Sequence, residues 1–250
     1  MKRFWILLYI ELKLALRSPD AILFSLTMPV VILILIALLS EGLIEQTFGA
    51  FLSIGICAIG LMGLPLTLSD YRHKKVLKRL QVTPVHPGLL LGIQCAVQTI
   101  MAVLSAGLVI ITAVLFFQLQ LAGPPVGIAA AYFVVLISIF SIGMVIASTA
   151  KNIKRAGILC SLVYFPMLIF SGTTIPFQIF PEPLQRIAGV LPLRQGIILL
   201  NGISSGRSFS QYTPQLLILI AIAIISISVS LYTFRWDMEA AHAEQNIFAH

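Results

Sequence analysis

The side chains able to do chemistry lie between the long apolar runs of this 250-residue chain, not inside them. Six runs, 21–40, 48–69, 89–117, 126–149, 156–171 and 214–234, contain no Asp, Glu, Lys, Arg or His. Serine, threonine and tyrosine hydroxyls occur there, but no imidazole or carboxylate accompanies them to act as a base, so no nucleophile is activated. His73, His86, His242 and His250 fall in connecting segments or the C-terminal tail. Cys57, Cys95 and Cys160 stand singly within apolar runs, without metal-ligand spacing, and read as small buried side chains. No G-x-x-x-x-G-K-[ST] phosphate loop occurs, so any ATP used must be hydrolysed by another polypeptide. The chain is expected to bind no cofactor or metal and not to be an enzyme. Nor does it carry the intramembrane charges of a proton-driven pump. A sodium site built from backbone carbonyls stays open.

What must position any functional group is therefore a set of membrane spans. Hydrophobic residues make up 59% of the chain and charged ones only 10%, with a mean hydropathy of +1.03. A soluble domain carries about 25% charged residues, and this much apolar surface needs lipid as its solvent. The net charge of +7 comes from cations in the gaps between runs, not from a basic soluble face of the kind that binds nucleic acid. Lys2, Arg3, Lys13 and Arg17 precede the first run. Arg72, Lys74, Lys75, Lys78 and Arg79 follow the second, Lys151, Lys154 and Arg155 follow the fourth, and Arg235 follows the sixth. The alternate gaps hold Glu41 and Glu45, then no charge in 118–125, then three scattered arginines in 172–213. The positive-inside rule then gives six transmembrane helices with both termini cytoplasmic, in the cell membrane.

Three segments outside the spans have a character of their own. On a helical wheel Lys2, Arg3, Lys13 and Arg17 fall within an arc of about 100°, opposite Trp5, Leu8, Leu12 and Leu16. Residues 1–18 are thus expected to form an amphipathic helix in the cytoplasmic interface, ended by Ser18-Pro19-Asp20. In the cytoplasmic loop 70–88, Ser69 or Asp70 is placed to cap a short helix, Leu77 and Leu80 share a face, and Pro84 stops it. The outer segment 172–197 is too apolar for a water-filled loop and follows a run of only 156–171. A re-entrant pair of short helices accounts for both facts.

The order of these features resembles the permease subunits of type-2 ABC exporters. The resemblance rests on Leu77, Arg79, Leu80, Thr83 and Pro84 in the first cytoplasmic loop. It rests also on Ser171, Gly172, Pro176, Pro181, Glu182, Leu184, Pro192 and Leu193 in the outer segment, and it covers the whole chain as one permease domain, 1–250. The family's usual acidic and glycine-bearing start to the loop helix is replaced here by Arg72, His73, Lys74, Lys75 and Val76, with Asp70 one turn earlier. The resemblance implies a second permease chain, identical or a paralogue, and a separate ABC ATPase that uses ATP and Mg. Arg72, Leu77, Arg79, Leu80, Thr83 and Pro84 would couple to that ATPase. Gly172, Pro176, Pro181, Glu182 and Pro192 would form the outer gate. The implied function is ATP-driven export of an amphipathic or apolar substrate such as a drug, an antibiotic or a lipid-linked molecule. The alternative is an ATP-independent carrier or channel. A membrane-embedded enzyme would need a paired acid–base constellation, which the sequence lacks.

Overall fold

The computed structural model describes residues 2–19, 22–39, 44–73, 87–150, 152–174, 177 and 180–233, and among them every regular element is helical. Helix α1 is Lys2–Ala15. A π-turn, Ile22–Thr27, leads into α2, Met28–Leu39. Helix α3, Ile44–Ala58, continues through a second π-turn, Ile59–Gly63, into α4, Leu64–His73. Then come α5 (Pro87–Phe117), α6 (Pro125–Thr149), α7 (Ile153–Phe170), α8 (Glu182–Ala188), α9 (Pro192–Ser204) and α10 (Thr213–Thr233).

Among the described residues, five helices are long and apolar enough to cross a membrane: Thr47–His73, Leu89–Phe117, Pro125–Thr149, Ile153–Phe170 and Phe209–Thr233. The first apolar run gives a shorter apolar helix, Ser25–Leu38, whose first residues belong to the π-turn. Two sequence expectations change. The fifth run is not short, since Asn152 caps the helix by accepting from the Arg155 N–H at 2.8 Å. The helix therefore starts at Ile153, ahead of Lys154 and Arg155, and has 18 residues, or about 27 Å at 1.5 Å per residue. The second run also extends further than its apolar stretch. Ser69 and Asp70 do not cap a new helix but lie inside α4, which carries Tyr71 and Arg72 out of the apolar zone without a break.

The axis of the bundle is the α3–α4 span, in which 78% of the apolar window is buried, against 17% for α7 and for Phe209–Thr233. Helix α10 lies along α6, α9 is wedged against α3, α6 and α10, and α4 packs on α6 and α7. In lipid, helices gain little from burying one apolar face on another, so close approach and interhelical hydrogen bonds hold the bundle. The Tyr132 hydroxyl donates to the Ala102 carbonyl at 2.6 Å, joining α6 to α5, and Ser105 Oγ donates to the Ser25 carbonyl at 2.7 Å, joining α5 to the first π-turn. Two helices approach closely at the second π-turn. Pro65 has no N–H to give to the preceding turn, and the ladder there shifts to the π register. The Gly60 carbonyl faces Gly143 of α6, where a Cβ would lie 2.0 Å from that oxygen.

Candidate functional site

Two places combine polar side chains with irregular backbone, one at each end of the bundle. At one end, consecutive residues of α4 reach in different directions. The Tyr71 hydroxyl donates to Glu11 Oε2 of α1. Gln94 of α5 donates from Nε2 to the same carboxylate oxygen at 2.8 Å and to Tyr71 Oη at 3.1 Å. The neighbouring Arg72 turns the other way, and its guanidinium donates to the carbonyls of Ala147 and, at 3.4 Å, Ala150. Those carbonyls belong to the last turn of α6 and the residue after it. They have no intrahelical donor and carry the negative end of the helix dipole, so a cation is the fitting cap.

Arg72 is thus held within this chain at the root of the loop that joins α4 to α5. Leu77, Arg79, Leu80, Thr83 and Pro84, the other residues assigned to coupling, lie outside the described residues. The helix ending at His73 and the one starting at Pro87 bring the two ends of that loop back to the bundle.

At the opposite end of the bundle, α7 stops at a left-handed residue. Gly172 has φ +88, a conformation that costs glycine nothing and other residues about 1 kcal/mol or more. The hydroxyls of Ser171 and Thr173, 3.0 Å apart, donate back to the Leu168 carbonyl. Phe170 and Phe180 meet at 5.6 Å, bringing the start of the outer segment against the end of α7. Pro181 is the residue before α8, and Glu182 opens that helix, exposed, where a carboxylate suits the positive end of the dipole. Pro192 is the buried first residue of α9, a position where a missing N–H leaves nothing unpaired. Pro176 lies outside the described residues.

Helices α8 and α9 are bent by 82° at their junction. Their far end returns to the side it left, because the Gly123 N–H of the α5–α6 connection donates to the Ser204 carbonyl at 3.0 Å. In addition, Asn201 Oδ1 accepts from the Gly49 N–H at 2.6 Å. The pair therefore begins beside the end of α7 and finishes beside the α5–α6 loop, on the same face of the bundle, as a re-entrant hairpin does. Protein covers α9 along much of its length: Leu193, Gln195, Gly196, Ile197, Leu199 and Leu200 are all buried.

Sequence reasoning missed four of the side chains that organise these ends. Arg194, grouped there with scattered outer cations, lies with its guanidinium 4.0 Å from the Phe177 ring centroid and donates to the Ser171 carbonyl at 3.4 Å. It joins the apex of the hairpin to the end of α7. Asn201 fastens α9 to α3. Glu11 and Gln94 complete the cluster around Tyr71. Glu11 had a signal, since it falls outside the cationic arc of the first helix. Gln94 had one also, as a polar residue four positions before Gln98 in an apolar run; both are buried.

Comparison with protein families adds one finding. The model of the family described as ABC-2 type transporter matches residues 2–203, from the start of α1 to the end of α9. No curated protein and no solved structure matches the chain.

Proposed function

Because the chain belongs to the ABC-2 type transporter family, we propose that it is the permease subunit of an ATP-driven exporter that moves an amphipathic or apolar substrate out of the cytoplasm. The observation that carries this reading is the family match over 2–203, which includes both polar ends of the bundle. These 250 residues contain no phosphate loop, and in this reading the ATPase is a separate chain. The cytoplasmic loop rooted at Arg72, with Leu77, Arg79, Leu80, Thr83 and Pro84, is its docking segment. Two permease chains and two ATPase subunits make the working unit. Closing of the ATPase dimer on ATP biases the permease between two arrangements. The outer hairpin, with Gly172, Pro176, Pro181, Glu182 and Pro192, closes the outer mouth in one of them. Uncharged spans favour an amphipathic or apolar cargo, such as a drug, an antibiotic or a lipid-linked molecule. The experiment is ATP dependence of amphiphile movement in inside-out vesicles.

The proposed topology has six crossings in the cell membrane with both termini cytoplasmic. It follows that a membrane-impermeant thiol reagent added to intact cells will label Ser208→Cys, whereas His73→Cys and Asn152→Cys will react only after permeabilisation. Labelling in the reverse order would overturn this orientation.

A further inference from the structure

The bonds made by Glu11 have no part in the docking or gating described above, yet they join three elements. Its carboxylate accepts from Tyr71, the third-last residue of α4, and from Gln94 of α5. It sits on α1, whose Leu12 and Ala15 pack towards the core while Trp5, Tyr9 and Leu14 stay exposed. Apolar contact alone would let α1 roll or slide along α5. A carboxylate bonded to two donors that are themselves bonded, at 3.1 Å, fixes both its rotation and its register. Tyr71 is also the residue next to Arg72, which anchors α4 on α6.

We infer that Glu11 is a positioning residue: the Glu11–Tyr71–Gln94 triangle sets the seat of α1 and passes displacement of the cytoplasmic end of α4 into that helix. The transmission part rests on the permease reading; the seating part does not. When the loop root moves, Tyr71 moves with it, and the shared carboxylate makes α1 follow instead of remaining with the lipid surface.

Trp5 reports this directly, since it is exposed on α1, and Trp236→Phe leaves it as the sole tryptophan. The single-tryptophan chain is placed in vesicles of phosphatidylcholine and phosphatidylglycerol brominated near the headgroup end of the acyl chains. Tyr71→Phe and Glu11→Gln should each shift Trp5 emission and change its quenching. Gln94→Glu alone should do so too, by setting two carboxylates against each other. Glu11→Gln combined with Gln94→Glu restores one carboxylate and one amide, and should return both signals towards the starting values. A general loss of stability predicts the opposite, a double variant worse than either single one. Unchanged signals in the single variants, or no recovery in the exchange, would overturn the inference. This arm needs no ATPase, so it stands or falls apart from the permease reading. In the complex with the ATPase, vanadate-trapped nucleotide should shift Trp5 emission in the parent, and Tyr71→Phe should abolish that shift. A parent without a nucleotide-dependent shift would overturn the transmission part.

Discussion

Gly143→Leu will leave the protein poorly folded, with the yield of monodisperse material from the membrane cut about tenfold or more. The reason is local. A Cβ at 143 would lie 2.0 Å from the Gly60 carbonyl oxygen and 3.5 Å from the Pro65 ring. The oxygen belongs to the π-turn backbone, so no side-chain rotation relieves the clash. The α3–α4 span and α6 would have to separate, and α9 and α10 pack on α6. Overpacking of this kind costs about 1–3 kcal/mol and more where backbone must move, and close backbone contact is what holds membrane helices together. The control is Gly107→Leu on α5, where a Cβ meets nothing within 4 Å. Size-exclusion profiles and thermal unfolding of the two variants in detergent make the comparison. Equal behaviour would mean that the α4–α6 crossing is not the centre of the bundle.

Leu77→Asp and Leu80→Asp will abolish ATP-driven transport while leaving insertion and thermal stability at the parental level. The three-residue spacing of the two leucines is that of side chains sharing one helix face, and in the proposed docking a carboxylate at either position would have to be desolvated against the ATPase surface. An unpaired charge at such a contact costs several kcal/mol, enough to disengage a docked helix. Insertion is unaffected because the cationic count of the loop, which fixes orientation, keeps all five Lys and Arg residues from Arg72 to Arg79. Full assembly and full transport in these variants would remove the loop from the coupling role.

The fold was legible where a rule is set by the solvent. Lipid demands apolar runs, and the helices formed from 89–117 and 126–149 match Pro87–Phe117 and Pro125–Thr149 closely. The Ser171-Gly172 pair stands at the end of α7 and Pro192 at the start of α9, because their backbone preferences are intrinsic, but α9 runs on to Ser204, past the expected limit at 197. Boundaries drawn by hydrophobicity failed where α4 ends and where α7 begins. Helix α4 runs on to His73 and α7 begins at Ile153, since a helix ends where its hydrogen bonding ends and not where its apolar stretch does.

The polar contacts were the least legible. Arg72 read as a topology and coupling charge and Arg194 as a topology charge, yet each bonds carbonyls at a helix end, those of Ala147 and Ala150 in one case and that of Ser171 in the other. Such partners are backbone atoms far away in sequence, and no residue type announces them. The same holds for Asn201 and Gly49, 152 positions apart. For the coupling segment, only its root at Arg72 lies within the described residues, while the sequence pattern of Leu77 to Pro84 carries the docking assignment.

The central claim is that this chain is the pathway and that ATP hydrolysis on a separate chain drives it. Inside-out vesicles holding the chain with its ATPase, and vesicles holding the chain alone, can be loaded with a fluorescent phospholipid analogue as an amphipathic probe. Its movement between the leaflets is then followed with ATP, with ATP plus vanadate, and with an imposed proton or sodium gradient. The account predicts movement only with both chains and ATP, stopped by vanadate and indifferent to either gradient. Movement driven by a gradient in vesicles of the chain alone, without ATP, would contradict it and make the protein a carrier.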